Sequence, residues 1–303
     1  RRTSRSSWPC GSGPWVQAMS EQGGETWAAP AKLNLFLHVT GRREDGYHEL
    51  QTLFQILDWG DEVSIRATND ASIRRVGTDF GVPEDQDLVI RAARLLQDEC
   101  GGTRGAEISI VKNIPMGSGM GGGSSDAATV LLVLNRLWDC GLGIDRLAEL
   151  GAALGADVPL FVRGRTAVAR GIGEKLQPVR LGRRHYVLVF PGIHIATPVI
   201  FSDPGLRRDS EVISLEEAVA GGGRNDCEAV VLSSFPAMAE AFENLARWGR
   251  PKMTGTGSGI FLEAENEAVA NSTAKAIKNL YNSRAVRGVD VSPVHEKLYT
   301  DGL

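Results

Sequence analysis

The feature that most constrains this chain is a glycine-rich segment, PMGSGMGGGSSDAA, at residues 115–128. Glycine occupies alternate positions and then three in a row, which is entropically costly unless the backbone must approach something closely. The residues that follow, SSDAATVLLVLNRLW at 124–138, have the apolar pattern of a helix. Ser124 or Ser125 is predicted as its N-cap, with Asp126 in the first turn. Because a helix N-terminus offers free amides and a positive dipole end, we expect this loop to bind an anion, most naturally phosphate.

Three better-known glycine motifs fit this segment poorly. Gly117, Gly119 and Gly122 have the G-x-G-x-x-G spacing of dinucleotide-binding loops, but KNIPM separates them from the preceding strand. The acidic residue expected about 20 residues later, at the end of a second strand, is replaced by the helical stretch CGLGIDRLAEL. A Walker A loop needs lysine where Gly123 stands, and no HRD or DFG motif of protein kinases follows. A phosphate-binding loop of another type remains, with a merely flexible connection as the alternative.

Periodicity predicts a mixture of strands and helices. Strict alternation in AKLNLFLHV, residues 31–39, predicts a strand with one buried face, and Lys32 and Asn34 lie on its polar face. A turn is predicted at Asp45-Gly46. The remaining elements are predicted as extended segments at 50–57, 62–65, 106–111, 166–170, 186–190 and 260–263, and as helices at 88–98, 144–154, 214–220, 225–233, 236–248 and 267–281.

Two short segments contain further candidate functional residues. GADVPLF places Asp157 in a tight turn before Pro159, where an aspartate is either a turn or N-cap residue or a functional acid. TGTGSGIF, residues 254–261, is a second glycine turn that runs into an apolar strand. It is either a hairpin turn or a wall against which substrate can lie close to the backbone.

Composition narrows the class of protein. The formal net charge is −4, so the chain has no basic field for nucleic acid or a membrane surface, and we expect neither as a partner. No apolar run approaches the roughly 18 residues of a membrane span. Its four cysteines are far apart and lack zinc-ligand spacing, which predicts free thiols in a reducing cytoplasm.

The first 27 residues have a different character from the remainder. They are rich in arginine and serine at their start, lack the apolar core of a secretory signal, and contain Met19 just before the first structured pattern. We interpret residues 1–27 as a leader or upstream sequence without fixed structure, with a transit peptide as the alternative.

Three motifs in order resemble those of the GHMP kinases. They are PAKLNL at 30–35, the glycine loop, and TGTGSG at 254–259. GRREDGYHELQTLFQILDWGDEV, GADVPLFVRG and TPVIFSDP are most similar to the branch that phosphorylates 4-diphosphocytidyl-2-C-methyl-D-erythritol, and the resemblance extends from about residue 30 to 295. It implies an α+β fold of two domains. Residues 28–178 would form an ATP-binding domain like the second domain of ribosomal protein S5, and 179–303 a ferredoxin-like domain.

The resemblance also implies roles for individual residues. Asp157 would be the catalytic base, with Lys32 as its partner. A lysine there can keep the carboxylate ionised and stabilise charge on the transferring phosphoryl group. The substrate would contact Asn34, Tyr47, His48, Thr197 and Phe201, with Tyr47 and Phe201 stacking on cytosine and His48 forming a hydrogen bond to its edge. ATP would lie against Asp87, Lys112, Pro115, Met116, Gly117, Ser118, Gly119, Met120, Gly121, Gly122, Gly123, Ser124 and Ser125. Magnesium is required, and Ser125 is a candidate ligand.

Two positions depart from the family pattern. Asp87 stands where relatives often have asparagine, and an aspartate cannot donate the amide hydrogen bond. Ser258-Gly259 replaces a more common Ala-Cys, and both pairs are small.

Three functions therefore remain open. The leading one is the ATP-dependent kinase of non-mevalonate isoprenoid biosynthesis, acting on the 2-hydroxyl of its substrate as a monomer or homodimer. A second keeps the fold but takes another isoprenoid or sugar alcohol. The third is a nucleotide-binding regulator without catalysis, against which the presence of both Lys32 and Asp157 argues.

Overall fold

The computed structural model describes Met19 and residues 23–300. Ten strands are formed: β1 Glu25–Arg42, β2 His48–Thr68, β3 Ile73–Arg75, β4 Gly105–Val111, β5 Ala167–Gly171, β6 Lys175–Pro178, β7 Arg184–Phe190, β8 Lys252–Met253, β9 Ile260–Ala264 and β10 Asn282–Val289. The helices are α1 Leu88–Glu99, α2 Gly122–Leu137, α3 Ile144–Ala152, α4 Val158–Arg163, α5 Thr197–Ser202, α6 Leu215–Val219, α7 Asp226–Ser234, α8 Pro236–Leu245, a 3₁₀ turn Ala246–Trp248, α9 Glu267–Ile277 and α10 Pro293–Thr300.

All ten strands belong to one sheet, organised around the long strand β2. Different stretches of β2 pair with β1, β4, β5 and β10, all antiparallel. From β10 the sheet continues through β7 and β9 to β8. The only parallel pair among the described strands is β3 with β4. Because β10 joins β2 to β7, the sheet runs on across residue 178, and the two-domain division there stays a prediction.

Two main apolar clusters cover this sheet. One packs α1 to α4 against β1, β2 and β4, with Trp27, Leu131 and Phe161 among its buried members. The other packs α7, α8 and α9 against β7 and β9, around Val189 and Ile260. The cleft described below lies where the glycine loop and the turn at 254–259 meet β1.

Strand β1 differs from its prediction in being buried on both faces. The predicted strand 31–39 is present, yet Lys32, Asn34 and His38 are all buried, as are their apolar neighbours other than the half-buried Leu35. The prediction of one buried face was therefore wrong. Burial of these polar side chains is tolerated because they form hydrogen bonds within the protein, as Lys32 does to Asn34 and Asn34 does to Thr52.

The predicted leader extends too far into the chain. Strand β1 begins at Glu25 and pairs Glu25 with Ile65 and Trp27 with Val63. Trp27 is fully buried in the core, so residues 25–27 belong to the fold. Met19 is also buried and accepts a hydrogen bond from the Gly24 amide at 2.8 Å. Residues 1–18 and 20–22, which complete the predicted leader, lie outside the described residues.

Helix α2 begins earlier than predicted. Its N-cap is Gly121, with φ +73° in the left-handed region that glycine adopts readily, and no side chain caps the helix. The prediction of a Ser124 or Ser125 cap was wrong, because both serines already lie within the first helical turn. Asp126 is consequently in the second turn, where it is buried.

The prediction of free thiols was wrong for two cysteines. Cys100 ends α1 and Cys140 follows α2, and their Cα atoms lie 5.6 Å apart in a disulfide. Their separation of 40 residues hides this pairing in the sequence, since only the side-by-side packing of α1 and α2 brings the helix ends together. Cys227 is free and buried. Cys10 lies outside the described residues.

Seven elements were not predicted: β3, β6, β8, β10, α4, α5 and α10. The sequence of β10, NSRAVRGV, has too many polar residues and a glycine for a strand signal. It forms because β7 and β2 supply partners on both sides. Over Met19 and 23–300, no helix combines the length and apolarity that crossing a bilayer requires.

Candidate active site

Three adjoining cavities form a continuous cleft. The loop cavity, about 440 Å³, lies between the start of α1 and the glycine loop 115–124. The central cavity, about 310 Å³, shares Gly119, Gly121 and Ser124 with it. The aromatic cavity, about 490 Å³, shares several linings with the central one, namely Leu50, Ala156, Ile172, Thr197 and Phe201. The cleft can therefore hold one ligand against the glycine loop and another reaching toward the aromatic side chains.

The glycine loop is shaped by three alternate residues in the left-handed region, Gly117, Gly119 and Gly121, with φ near +71° to +73°. It is held from behind by the second glycine turn. The amide of Ser258 donates to the Gly117 carbonyl at 3.3 Å, and that of Gly259 to the Ser118 carbonyl at 3.0 Å. The turn at 254–259 thus braces the loop as well as lining the cleft.

The loop presents amides rather than side chains to the cleft. Because no side chain caps α2, its first amides are free for an anion, and the positive end of the helix dipole lies at the same place. Ser124 lines both the loop and the central cavities. Ser125 is fully buried and its Oγ has no hydrogen-bond partner among the described residues, but it lines none of the three cavities. Its role as a magnesium ligand stays a prediction.

Gly119 is the loop residue with the least room for a side chain. A Cβ there would lie 2.5 Å from the Thr254 carbonyl oxygen and 3.1 Å from that of Gly257, at φ +73°. We expect Gly119→Ala to destabilise the protein by about 2 kcal/mol or more, from strain and the backbone clash together. Urea unfolding measures the loss.

Gly123 supplies the matched control for this substitution. A Cβ at Gly123 meets only Leu88 Cδ1, at an ordinary 3.5 Å, within a helix that favours alanine. Gly123→Ala should therefore change the free energy of unfolding by no more than about 1 kcal/mol. Equal losses in the two variants would contradict the proposed contact between Gly119 and the turn at 254–259.

Lys32 and Asp157 meet in the central cavity. The Lys32 ammonium lies 3.3 Å from Asp157 Oδ2, and the lysine side chain is 5% exposed while that of the aspartate is 31% exposed. Asp157 occupies the N-cap position of α4, yet its side chain makes no capping hydrogen bond. Its carboxylate is consequently directed at Lys32 and the cavity, which disfavours the interpretation of Asp157 as a cap residue.

Lys32 is fixed on three sides. Its Nζ donates to Asn34 Oδ1 at 2.6 Å and lies 5.1 Å from the centre of the Phe54 ring. Its backbone amide donates to the Met120 carbonyl at 3.1 Å, which ties β1 to the glycine loop. The ammonium is therefore oriented before any ligand arrives.

Asn34 lines the central cavity, as its predicted substrate contact requires. Its side chain is nevertheless engaged within the protein, since Oδ1 accepts from Lys32 and Nδ2 donates to Thr52 Oγ1 at 2.9 Å. Its backbone amide donates to Thr254 Oγ1 at 2.9 Å. Asn34 thereby links Lys32 to the second glycine turn.

Lys112 lines the loop cavity but is held by two buried carboxylates. Its Nζ donates to Asp61 and, at 2.8 Å, to Asp126 Oδ2. Burial lowers the pKa of the Lys112 ammonium, but the two carboxylates outweigh it and the net pKa is raised. Burial, reinforced by the charge of Asp61 and opposed by Lys112, raises the pKa of Asp126 to about 7. Lys112 is therefore a cation shared between β2 and α2 at the wall of the cavity.

Asp87 also lines the loop cavity, but both of its carboxylate oxygens have protein partners. Oδ1 accepts from the Val89 amide at 3.1 Å as the N-cap of α1, and Oδ2 lies 2.8 Å from Arg75 Nε. Its contact with a nucleotide stays a prediction. The aspartate fits this position because it caps the helix and pairs with Arg75.

The aromatic cavity brings together four of the predicted substrate residues, Tyr47, His48, Thr197 and Phe201. The rings of His48 and Phe201 have centroids 5.1 Å apart at 31°. Tyr47 is 61% exposed at the tip of the turn before β2. Thr197 Oγ1 lies 2.9 Å from Thr256 Oγ1, joining this cavity to the second glycine turn.

Sequence reasoning missed several charged residues that line the cleft or support it, including Arg75 and Asp126 in the loop cavity. Asp61 and Asp126 hold Lys112, and Arg208 contacts His48 from behind. Asp126 carries the only available signal, a charged residue inside an apolar helix pattern. Asp61 and Arg208 lie in polar stretches where nothing distinguishes them from surface residues.

Among the described residues, no group of three or more His, Cys, Asp or Glu side chains is arranged to hold a metal ion. The Asp157 carboxylate and the Ser124 hydroxyl both line the central cavity, which adjoins the glycine loop. Magnesium generally takes only one or two protein oxygens when phosphates supply the rest. This small donor set fits a magnesium ion that arrives with a nucleotide.

Comparison with known proteins matches most of the chain. A family model described as the GHMP kinases N terminal domain matches residues 87–165. A 4-diphosphocytidyl-2-C-methyl-D-erythritol kinase from Xanthomonas euvesicatoria pv. vesicatoria (strain 85-10) is 50% identical over 274 residues, covering 90% of this chain and 93% of the relative. The same-named protein of Xanthomonas campestris pv. campestris (strain B100) is 47% identical over 285 residues, covering 93% and 97%.

Solved structures give a consistent result. The crystal structure of a 4-(cytidine 5'-diphospho)-2C-methyl-D-erythritol kinase has a TM-score of 0.77 and 36% identity, covering 88% of this chain and all of that one. Mevalonate kinase of Methanococcus jannaschii has a TM-score of 0.64 at 14% identity, covering 88% and 98%. The second likeness concerns the fold alone.

Proposed function

The chain belongs to the 4-diphosphocytidyl-2-C-methyl-D-erythritol kinases of the GHMP kinase superfamily, and we propose that its cleft transfers the γ-phosphoryl group of ATP to the 2-hydroxyl of that substrate. The products are the 2-phosphate and ADP, in the non-mevalonate route to isoprenoid precursors. The observation that carries this assignment is the Lys32–Asp157 pair, which lies between the glycine loop and the aromatic cavity.

The three cavities divide the work of phosphoryl transfer. The amides of the glycine loop bind the phosphates of ATP in the loop cavity, and the aromatic cavity binds the cytidine end of the acceptor. The acceptor hydroxyl then lies in the central cavity. Because phosphoryl transfer depends mainly on positioning and electrostatics, this arrangement supplies most of what the reaction needs.

Asp157 and Lys32 act on the acceptor hydroxyl. The Asp157 carboxylate accepts its proton as the oxygen attacks phosphorus. Lys32, at 3.3 Å, keeps that carboxylate ionised and balances charge on the transferring group. The hydrogen bond that the ammonium donates to Asn34 Oδ1 keeps it in place. Lys32 thus supports Asp157 before transfer and the phosphoryl oxygens during it.

Magnesium fits the same place. The oxygens of Ser124 and Asp157, which line the central cavity, would hold it beside the nucleotide phosphates, whereas Ser125, whose buried hydroxyl lines none of the three cavities, stays a candidate ligand only. The ion supplies neutralisation of phosphate charge when bound.

The alternatives are less well supported by the cleft. An isoprenoid or sugar alcohol has no use for the His48–Phe201 ring pair and Tyr47, which offer a slot for a planar base. A regulator without catalysis has no use for a preorganised Lys32–Asp157 pair. We further propose a cytoplasmic enzyme, monomeric or homodimeric, that binds neither nucleic acid nor membranes.

The test is release of ADP by the purified full chain with MgATP and 4-diphosphocytidyl-2-C-methyl-D-erythritol. Mevalonate, galactose and homoserine serve as control acceptors. We expect turnover with the cytidine substrate alone. Equal turnover with a control acceptor would support the second function, and ATP binding without turnover on any acceptor would support the regulator.

A further inference from the structure

Arg208 forms an unusually complete set of hydrogen bonds beneath the aromatic cavity. Its Nη2 donates to the carbonyls of Phe201 at 2.9 Å and Asp203 at 2.8 Å, and its Nη1 to that of Leu206 at 2.9 Å. Its Nε donates to His48 Nε2 at 3.1 Å. Three backbone carbonyls therefore fix the guanidinium independently of His48, and the guanidinium in turn determines what His48 can do.

A guanidinium donates hydrogen bonds and cannot accept them. The bond from Arg208 therefore requires a lone pair on Nε2 of His48. In a neutral imidazole the other nitrogen, Nδ1, must then carry the proton. An imidazolium would place a second N–H against the guanidinium and lose this bond.

The surroundings of His48 agree with a neutral ring. Its partial burial, followed by the charges of Arg208 and Arg42, lowers the pKa of His48 below its usual value. The nearest other ring of the cavity is that of Phe201, which carries no charge. His48 is thus a neutral group with one defined tautomer at working pH.

The remaining nitrogen of His48 is available to a ligand. Within the described part of the chain no residue forms a hydrogen bond to His48 Nδ1, and His48 lines the aromatic cavity. The ring therefore offers that cavity a hydrogen-bond donor and no acceptor. The ligand must therefore present an acceptor to His48, and the hydrogen-bonding edges of the two pyrimidine bases differ in this respect.

Cytosine and uracil differ where such a donor would act. N3 of cytosine is an acceptor, whereas N3 of uracil carries a hydrogen and is a donor. A fixed Nδ1–H therefore complements cytosine and opposes uracil. A site built to donate a hydrogen bond discriminates against a ligand that presents a donor in its place, because both donors are then left without an acceptor.

We propose that Arg208 is a positioning residue that makes the site select cytidine over uridine nucleotides, by holding His48 as an Nδ1–H donor. The proposal rests on the assignment of the aromatic cavity to the base of the acceptor. Arg208 touches no substrate in this scheme and acts only through His48.

The first measurement is the tautomer of His48 in the full chain, from the ¹⁵N chemical shifts of its two ring nitrogens in the ligand-free state. We expect a protonated Nδ1 and an unprotonated Nε2. A protonated Nε2 would overturn the proposal directly, and this measurement needs no variant.

The second measurement compares the dissociation constants of CDP and UDP. We expect CDP to bind at least about tenfold more tightly in the unsubstituted protein, as one mismatched hydrogen bond predicts. Arg208→Met removes the donor to Nε2, so His48 can change tautomer. The ratio of the UDP dissociation constant to that of CDP should then fall about tenfold, toward one. Arg207→Met is the matched control, since Arg207 is exposed and pairs with Asp209 at 3.0 Å. It should leave the ratio unchanged.

The outcomes separate this proposal from the function on which it rests. If CDP leaves the His48 resonances unmoved, the base lies elsewhere, and both the assignment of the cavity and the selectivity proposal fail. If CDP moves those resonances but Arg208→Met keeps the unsubstituted ratio, only the selectivity proposal fails. If Arg208→Met does not fold, the tautomer and the CDP preference of the unsubstituted protein decide.

Discussion

Asp157→Asn is expected to lower kcat by roughly 10²- to 10⁴-fold, the usual effect of losing a general base. Asparagine has the shape of aspartate but cannot accept the proton of the acceptor hydroxyl. The fold should tolerate it, because Asp157 caps nothing and its described ion pair is the one with Lys32. The KM for MgATP should change much less than kcat, because the asparagine amide oxygen can still face the magnesium ion and position 157 does not line the loop cavity. Steady-state kinetics and a thermal melt measure both effects.

Asp145→Asn is the matched control for this variant. Asp145 also stands at the start of a helix, in the first turn of α3, but it is 79% exposed and pairs with Arg163 away from the cleft. It should retain normal kcat. Turnover of Asp157→Asn at the same level as the control would remove Asp157 from the mechanism.

Lys32→Ala tests whether the pair works as a unit. It should lower kcat about as much as Asp157→Asn does. The double variant should lower kcat little further than the more damaging single substitution. Effects that instead multiply would mean that Lys32 and Asp157 contribute independently. A change in substrate affinity alone would give Lys32 a binding role.

Local patterns explain what the sequence could predict of this molecule. The glycine loop and α2 are encoded by neighbouring residues, because positive φ and a following apolar helix both leave a local signature. The α+β GHMP kinase fold followed from motif order and agrees with the matched structures. Tyr47, His48, Thr197 and Phe201 came only from the resemblance, since nothing in their spacing brings residues of the 47–48 turn to α5.

The wrong predictions have a common physical origin in tertiary contacts. Alternation in 31–39 indicated a solvated face, but Lys32 and Asn34 form a hydrogen bond with each other, which allows both to be buried there. The disulfide between Cys100 and Cys140 depends on how two helices pack. Arg208 acquires its role from three carbonyls and a histidine 160 residues earlier in the chain. Such partners have no signature in a single sequence.

Asp61→Ala is expected to destabilise the protein by about 3–5 kcal/mol, as when one partner of a buried ion pair is removed. Asp61 has no exposed side-chain surface, and its Oδ1 accepts from the amides of Asn113 at 2.6 Å and Ile114 at 2.7 Å. Alanine leaves both amides without that acceptor, and it leaves Lys112 with Asp126 alone. Urea unfolding measures the loss, and the KM for ATP should rise because these amides lead directly into the glycine loop.

Asp61→Asn separates the two roles of this carboxylate. The amide oxygen of asparagine can still accept from the backbone amides, and Lys112 keeps Asp126 as a counterion. The free energy of unfolding should therefore fall by less than half as much as in Asp61→Ala. Asp58→Asn is the control on the same strand. Asp58 is 31% exposed and lies 3.3 Å from Arg287, a pair that solvent weakens to about 1 kcal/mol or less.

The order of the three losses decides what Asp61 does. One possible order is that Asp61→Ala loses much more free energy of unfolding than Asp61→Asn, with Asp58→Asn losing least. That order means that the backbone hydrogen bonds to Asp61 hold the entry to the glycine loop and that its charge is secondary. Equal losses for alanine and asparagine at position 61 would mean that the charge opposite Lys112 dominates. A loss for Asp61→Ala no larger than that of Asp58→Asn would show that the loop does not depend on this carboxylate, and the phosphate cradle would then have to be held by the turn at 254–259 alone.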